Sequence, residues 1–68
     1  MKKILLIEGM MCGHCAAHVE RALNALPGVQ AKVDLGRKVA VVESAEEVAD
    51  DVLRQAVLNA GYEVVSIQ

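Results

Sequence analysis

Two cysteines stand two residues apart in "GMMCGHC", Gly9 to Cys15, and His14 lies between them. A C-x-x-C pair supports two chemistries. Its thiols can exchange with a disulfide, or its thiolates can hold a soft metal ion. Soft sulfur selects Cu(I), Zn(II) and, by extension, Hg(II) or Cd(II). A pair at a helix N-terminus gains thiolate character, because the helix dipole favours negative charge there. Cys15 stands where a helical pattern begins, and that placement serves either chemistry.

Ligand numbers separate the ions. Cu(I) accepts two thiolates in a near-linear arrangement, so one C-x-x-C on a loop is enough. Zn(II) prefers four ligands in a tetrahedron, and the chain has two cysteines and two histidines. Using His14 would require bending it back beside its own neighbours. An iron–sulfur cluster needs four cysteines, hence a dimer. The dithiol oxidoreductases that use "CGHC" carry an aromatic residue before the first Cys and a proline facing the pair. Here Met11 precedes Cys12, and the only proline, Pro27, lies at the far end of the same helix. Among the neighbours, Met10 reads as a core filler and Met11 as an exposed loop residue. His14 reads as a solvent-facing neighbour of the site, and His18 as a polar helix-surface residue.

The elements that must position this loop follow from periodicity. Ile4 to Glu8 predicts a strand, with Leu5 and Ile7 on one face and Ile4 and Leu6 on the other. After Cys15 the period becomes helical. Val19, Leu23 and Leu26 share a face with Ala16 and Ala22, while Glu20, Arg21 and Asn24 face away. Pro27 and Gly28 stop the helix. Val29 to Leu35 alternates as a strand with one wet side, and Gly36 to Lys38 turns the chain into a strand over Val39 to Val42. A second helix starts either at Ser44, with Glu47 completing a capping box, or at Asp50. Its buried stripe is Leu53, Ala56, Val57 and Ala60. Gly61 caps it, and Tyr62 to Ile67 is the last strand.

The order βαββαβ predicts an α+β, ferredoxin-like sandwich: a four-stranded antiparallel sheet with two helices on one face. Right-handed crossovers place the first and last strands side by side. The loops after strand 1 and after helix 2 then share one end of the sheet. Tyr62 is therefore expected beside Cys12 and Cys15.

Size and charge narrow the function. A chain of 68 residues buries only about 60% of its unfolded surface, which leaves no room for a core plus a deep substrate pocket. An enzyme is not expected. A net charge of −2 is too weak to point to nucleic acid or an anionic membrane, and the acidic run Glu43 to Asp51 reads as a solvated face. No segment approaches the roughly 20 apolar residues that span a bilayer. The apolar part of "MKKILLIEGM" is too short for a signal peptide. A cytoplasmic location follows as an expectation, and a reducing cytosol keeps both thiols free.

"GMMCGHC" matches the G-M-x-C-x-x-C signature of the heavy-metal-associated domain, which the chain resembles from end to end. Val19, Ala22, Leu23, Leu26 and Gly28–Val29 are similar to the family's first helix and next strand. Leu53, Ala56, Val57, Ala60, Gly61 and Tyr62 are similar to its second helix and the loop that follows. Copper chaperones and the metal-binding domains of copper-transporting P-type ATPases make up that family. The resemblance implies one heavy-metal-associated domain over residues 1–68, with Cys12 and Cys15 as the metal ligands and Cu(I) as the ion. It implies hand-over to a copper-transporting P-type ATPase through a transient metal-bridged contact, by a chain that is monomeric when apo and able to form a copper-bridged homodimer. It places Met10 under the loop. Tyr62 points to the bacterial chaperone branch, because eukaryotic chaperones usually carry Lys there. Met11 departs from the family's usual Thr or Ser, and the absence of Phe is unusual. A mercury or zinc/cadmium carrier, an excised ATPase domain, and a small dithiol oxidoreductase are the alternatives.

Overall fold

A computed structural model describes residues 1–68. The chain order is β1 (Lys2–Glu8), α1 (Gly13–Asn24), β2 (Val29–Asp34), β3 (Val39–Ser44), α2 (Asp50–Asn59) and β4 (Glu63–Ile67). All strand pairings are antiparallel, in the order β2-β3-β1-β4. The expected βαββαβ sandwich is the fold found, with the first and last strands adjacent.

Alternation in β1 does what its sequence implies. Leu5 and Ile7 are fully buried beneath the helices, while Ile4 and Leu6 lie on the open face. Val19 and Leu23 of α1, with Leu53, Ala56 and Val57 of α2, close the core from above. Aliphatic side chains and Met10 fill it without help from any Phe or Trp. Leu35 lies beyond the end of β2 and is partly exposed, so the wet-sided strand is one residue shorter than its alternation suggests.

Two local readings change, and the open choice of a start for α2 is settled. α1 begins at Gly13 rather than after Cys15, so Cys15 lies inside its first turn. α2 begins at Asp50. Ser44 is the last residue of β3, and its hydroxyl donates to the Glu46 carbonyl instead of capping a helix. Asp50 and Asp51 then occupy the first turn of α2, where the dipole favours carboxylates. Glu20 and Asn24 do not face solvent freely. Their side chains turn onto the backbone of β2.

Candidate metal centre

The paired thiols owe their position to the junction of β1 and α1. Gly9 leaves β1 with φ +96°, a conformation that side-chain-bearing residues resist. Met10 then drops into the core, 1% exposed, and anchors the loop from below. Met11 swings outward, 84% exposed. Cys12 is the N-cap residue, with extended backbone and no side-chain cap bond, and its carbonyl accepts from the Ala16 amide at 3.1 Å. No acidic residue occupies the first turn of α1. The positive end of the helix therefore faces the two sulfurs.

Cys12 Sγ and Cys15 Sγ lie 3.5 Å apart, and both thiols are free. Cys12 is exposed and Cys15 half-buried against the core. His14 and His18 are both exposed on α1. No group of three or more His, Cys, Asp or Glu side chains gathers anywhere in the fold to form a closed metal cage.

Tyr62 reaches this site from the other end of the sequence. α2 ends in a Schellman motif: Gly61, at φ +96°, donates to the Leu58 carbonyl at 2.9 Å, and Tyr62 donates to the Val57 carbonyl at 3.1 Å. That closure fixes the start of β4, which pairs with β1 at Glu8–Glu63. Tyr62 consequently comes over Gly9 and beside Cys15, as its predicted place in the topology required. The Tyr62 hydroxyl is the largest influence on that thiol. The Met11 backbone and the Cys12 thiol act in the same direction against partial burial, and the thiol is pulled from an ordinary 9.0 down to about 7. The Tyr62 phenol is pushed up in return, first by the neighbouring Cys15 thiol and then by desolvation. Periodicity alone gave no sign of this coupling, which depends on a cross-sheet neighbour.

The arrangement is a shallow, exposed dithiol at the end of a ferredoxin-like sandwich, able to present two sulfurs to one soft ion. The family model of the heavy-metal-associated domain matches residues 4–63, and the chain belongs to that family. It is 42% identical over 66 residues to the copper chaperone CopZ of Staphylococcus aureus, covering 94% of this chain and 97% of that one. A solved structure described as "CopZ metallochaperone" superposes with a TM-score of 0.88 at 40% identity, covering 96% and 100% of the two chains. The chain is also 49% identical over 59 residues to a copper-exporting P-type ATPase of Mycobacterium tuberculosis. That match takes in 87% of this chain but only 8% of the ATPase.

Proposed function

We propose that this chain is a cytoplasmic copper carrier that holds Cu(I) between Cys12 and Cys15 and passes it to a copper-transporting P-type ATPase. The observation that carries this reading is the 3.5 Å approach of two free thiols at an exposed helix N-terminus. CopZ proteins, which this chain matches over nearly its whole length and in fold, are described as copper chaperones. No helix is long and apolar enough to cross a membrane, which accords with a mobile carrier.

Hand-over follows from the open coordination. Two metal–sulfur bonds laid end to end span on the order of 4–5 Å, so a near-linear ion requires the sulfurs to part by about an ångström. Cys12 can make that movement, since its side chain is exposed and makes no capping bond to the helix. With only two protein ligands, the ion leaves room for a thiolate from the acceptor. A three-coordinate intermediate then passes the ion across without its ever being free. Such a chain moves its cargo and changes no covalent bond in it, so it acts as a carrier and not as an enzyme. It is monomeric when apo, and a second copy can share the ion in a copper-bridged homodimer.

The lowered Cys15 thiol is also what a dithiol oxidoreductase uses, and one set of experiments separates the readings. Anaerobic competition against a Cu(I) chelator is expected to give one ion per monomer, lost in Cys12→Ser and in Cys15→Ser and largely retained in His14→Ala. X-ray absorption should show two sulfur neighbours. Zn(II) or Hg(II) bound in preference to Cu(I) would replace the cargo named here. Turnover in an insulin-reduction assay above that of a simple dithiol would replace the carrier reading altogether.

A further inference from the structure

The outer edge of β2 is closed by side chains from α1. Along an edge strand, alternate residues turn their N–H and C=O groups away from the sheet, where another strand can pair with them. In β2 those residues are Ala31 and Val33. The Ala31 amide donates to Asn24 Oδ1 at 2.8 Å, and Asn24 Nδ2 donates back to the Ala31 carbonyl at 3.1 Å. The Val33 amide donates to Glu20 Oε2 at 3.0 Å. Glu20 and Asn24 are four residues apart and so share one face of α1. Together they supply the acceptors and the donor that a neighbouring strand would supply. The other edge is guarded differently: the β1–β4 register shifts between Leu6 and Ile7, and Arg54 Nη1 donates to the Val64 carbonyl at 3.2 Å.

We propose that Glu20 and Asn24 form a lock on a self-pairing edge, and that the partner it excludes is the β2 strand of a second copy of this chain. Charge selects the register. Antiparallel pairing about a two-fold axis at Val33 sets Lys32 opposite Asp34 of the second copy, twice over. Its other face sets Val33 opposite its own counterpart and Ala31 opposite Leu35 of the second copy. Opposite charges and apolar pairs directly across a ladder are favourable. Centring on Lys32 instead opposes two ammonium groups, and centring on Ala31 opposes Lys32 with Gln30. The unlocked chain would extend its four strands into a continuous eight-stranded sheet. The pairing lies on an edge formed by neither cysteine, so it is independent of the copper reading.

The test uses the full chain carrying Cys12→Ser and Cys15→Ser, without metal, so that no copper-bridged dimer can form. In this parent, hydrogen exchange should find the Ala31 and Val33 amides protected although they lie on an edge. Fast exchange at both would mean there is no lock. Adding Glu20→Ala and Asn24→Ala should convert a monomer into a concentration-dependent dimer in sedimentation velocity. Adding Val33→Pro to that variant should restore the monomer. The missing N–H removes the central donor, and the bond it made pointed away from β3. Lys32→Asp should also restore the monomer, and Asp34→Lys on top of it should bring the dimer back. A folded, monomeric unlocked variant, or a dimer indifferent to Val33→Pro, overturns the proposal. Should the double variant unfold, Asn24→Ala alone is expected to dimerise more weakly. A folded single variant that stays monomeric with a fast-exchanging Ala31 amide overturns the proposal equally.

Discussion

The ring of Tyr62 lies across Gly9: a Cβ added at Gly9 would stand 3.3 Å from Tyr62 Cδ1. Gly9 has φ +96° there. One residue therefore meets two demands, a backbone conformation that only glycine adopts cheaply and a close approach by the sole aromatic ring. The ring's position in turn brings its hydroxyl to Cys15, so the tuning of the thiol begins at a glycine three residues before Cys12.

Gly9→Ala is expected to destabilise the apo protein by about 1–3 kcal/mol through backbone strain. The added methyl also pushes the Tyr62 ring away. Urea denaturation measures the first effect. Thiolate absorbance against pH measures the second, with the Cys15 titration moving upward from about 7. A variant as stable as the parent, with an unmoved titration, would contradict the contact.

Tyr62→Phe keeps the ring and removes the hydroxyl, the largest cause of the lowered Cys15 thiol. The titration should rise toward the ordinary 9.0. The pH dependence of stability has a definite sign. Cys15 has a lower pKa folded than unfolded, so its contribution is complete above pH 9.0 and is lost as pH falls through about 7. Apo stability should therefore rise with pH across that window, and the slope should flatten in Tyr62→Phe and vanish in Cys15→Ser. Thermal melts at several pH values check this. An equal slope in all three proteins would assign the effect to another group.

Met10 and Met11 are adjacent yet should respond oppositely to truncation. Met10 is buried at the base of the loop, so Met10→Ala is expected to cost about 2–5 kcal/mol and to weaken copper retention by loosening the loop. Met11 is exposed, and Met11→Ala should stay within about 0.5 kcal/mol. Chemical denaturation distinguishes them. A marked loss of Cu(I) affinity in Met11→Ala would reveal a thioether ligand.

Ala16 and Ala17 follow Cys15 on α1, and Ala17 is exposed. Under the proposed hand-over, small side chains there would let an acceptor's backbone approach the ion. Ala17→Glu and Ala17→Trp should both slow copper transfer to a C-x-x-C acceptor domain while leaving Cu(I) affinity nearly unchanged. NMR titration of the copper-loaded protein should shift Met10–His18 and Gly61–Tyr62. Shifts at Glu46–Asp51 instead would move the docking face to the acidic side of the molecule.

Much of the molecule was legible in the residues alone. The 2-residue period of Leu5 and Ile7 and the 3.6-residue period of Val19 and Leu23 report which faces are buried, because each element must bury one face against another. Gly61 marked the end of α2 because a helix stops most easily at a residue free to take positive φ. Boundaries were less legible. Ser44 and Glu47 have the spacing of a capping box, but Ser44 pairs with Val29 in the sheet, and the helix starts where Asp50 can meet its dipole.

The paired cysteines, their loop and the βαββαβ order were determined by sequence, since spacing and periodicity are local properties that survive without knowledge of neighbours. Tertiary structure decided what surrounds them. Glu20 and Asn24 look like solvent-facing helix residues until β2 is laid beside them, where its unpaired amides give their side chains partners. Tyr62 is placed near Cys15 by the strand order, 47 positions away in the chain, but its effect on that thiol's acidity shows only once the β1–β4 pairing sets the two side by side. A thiol's acidity depends on whichever donors stand near the sulfur in space. Here the largest of them comes from a residue that only the closing of the sheet delivers.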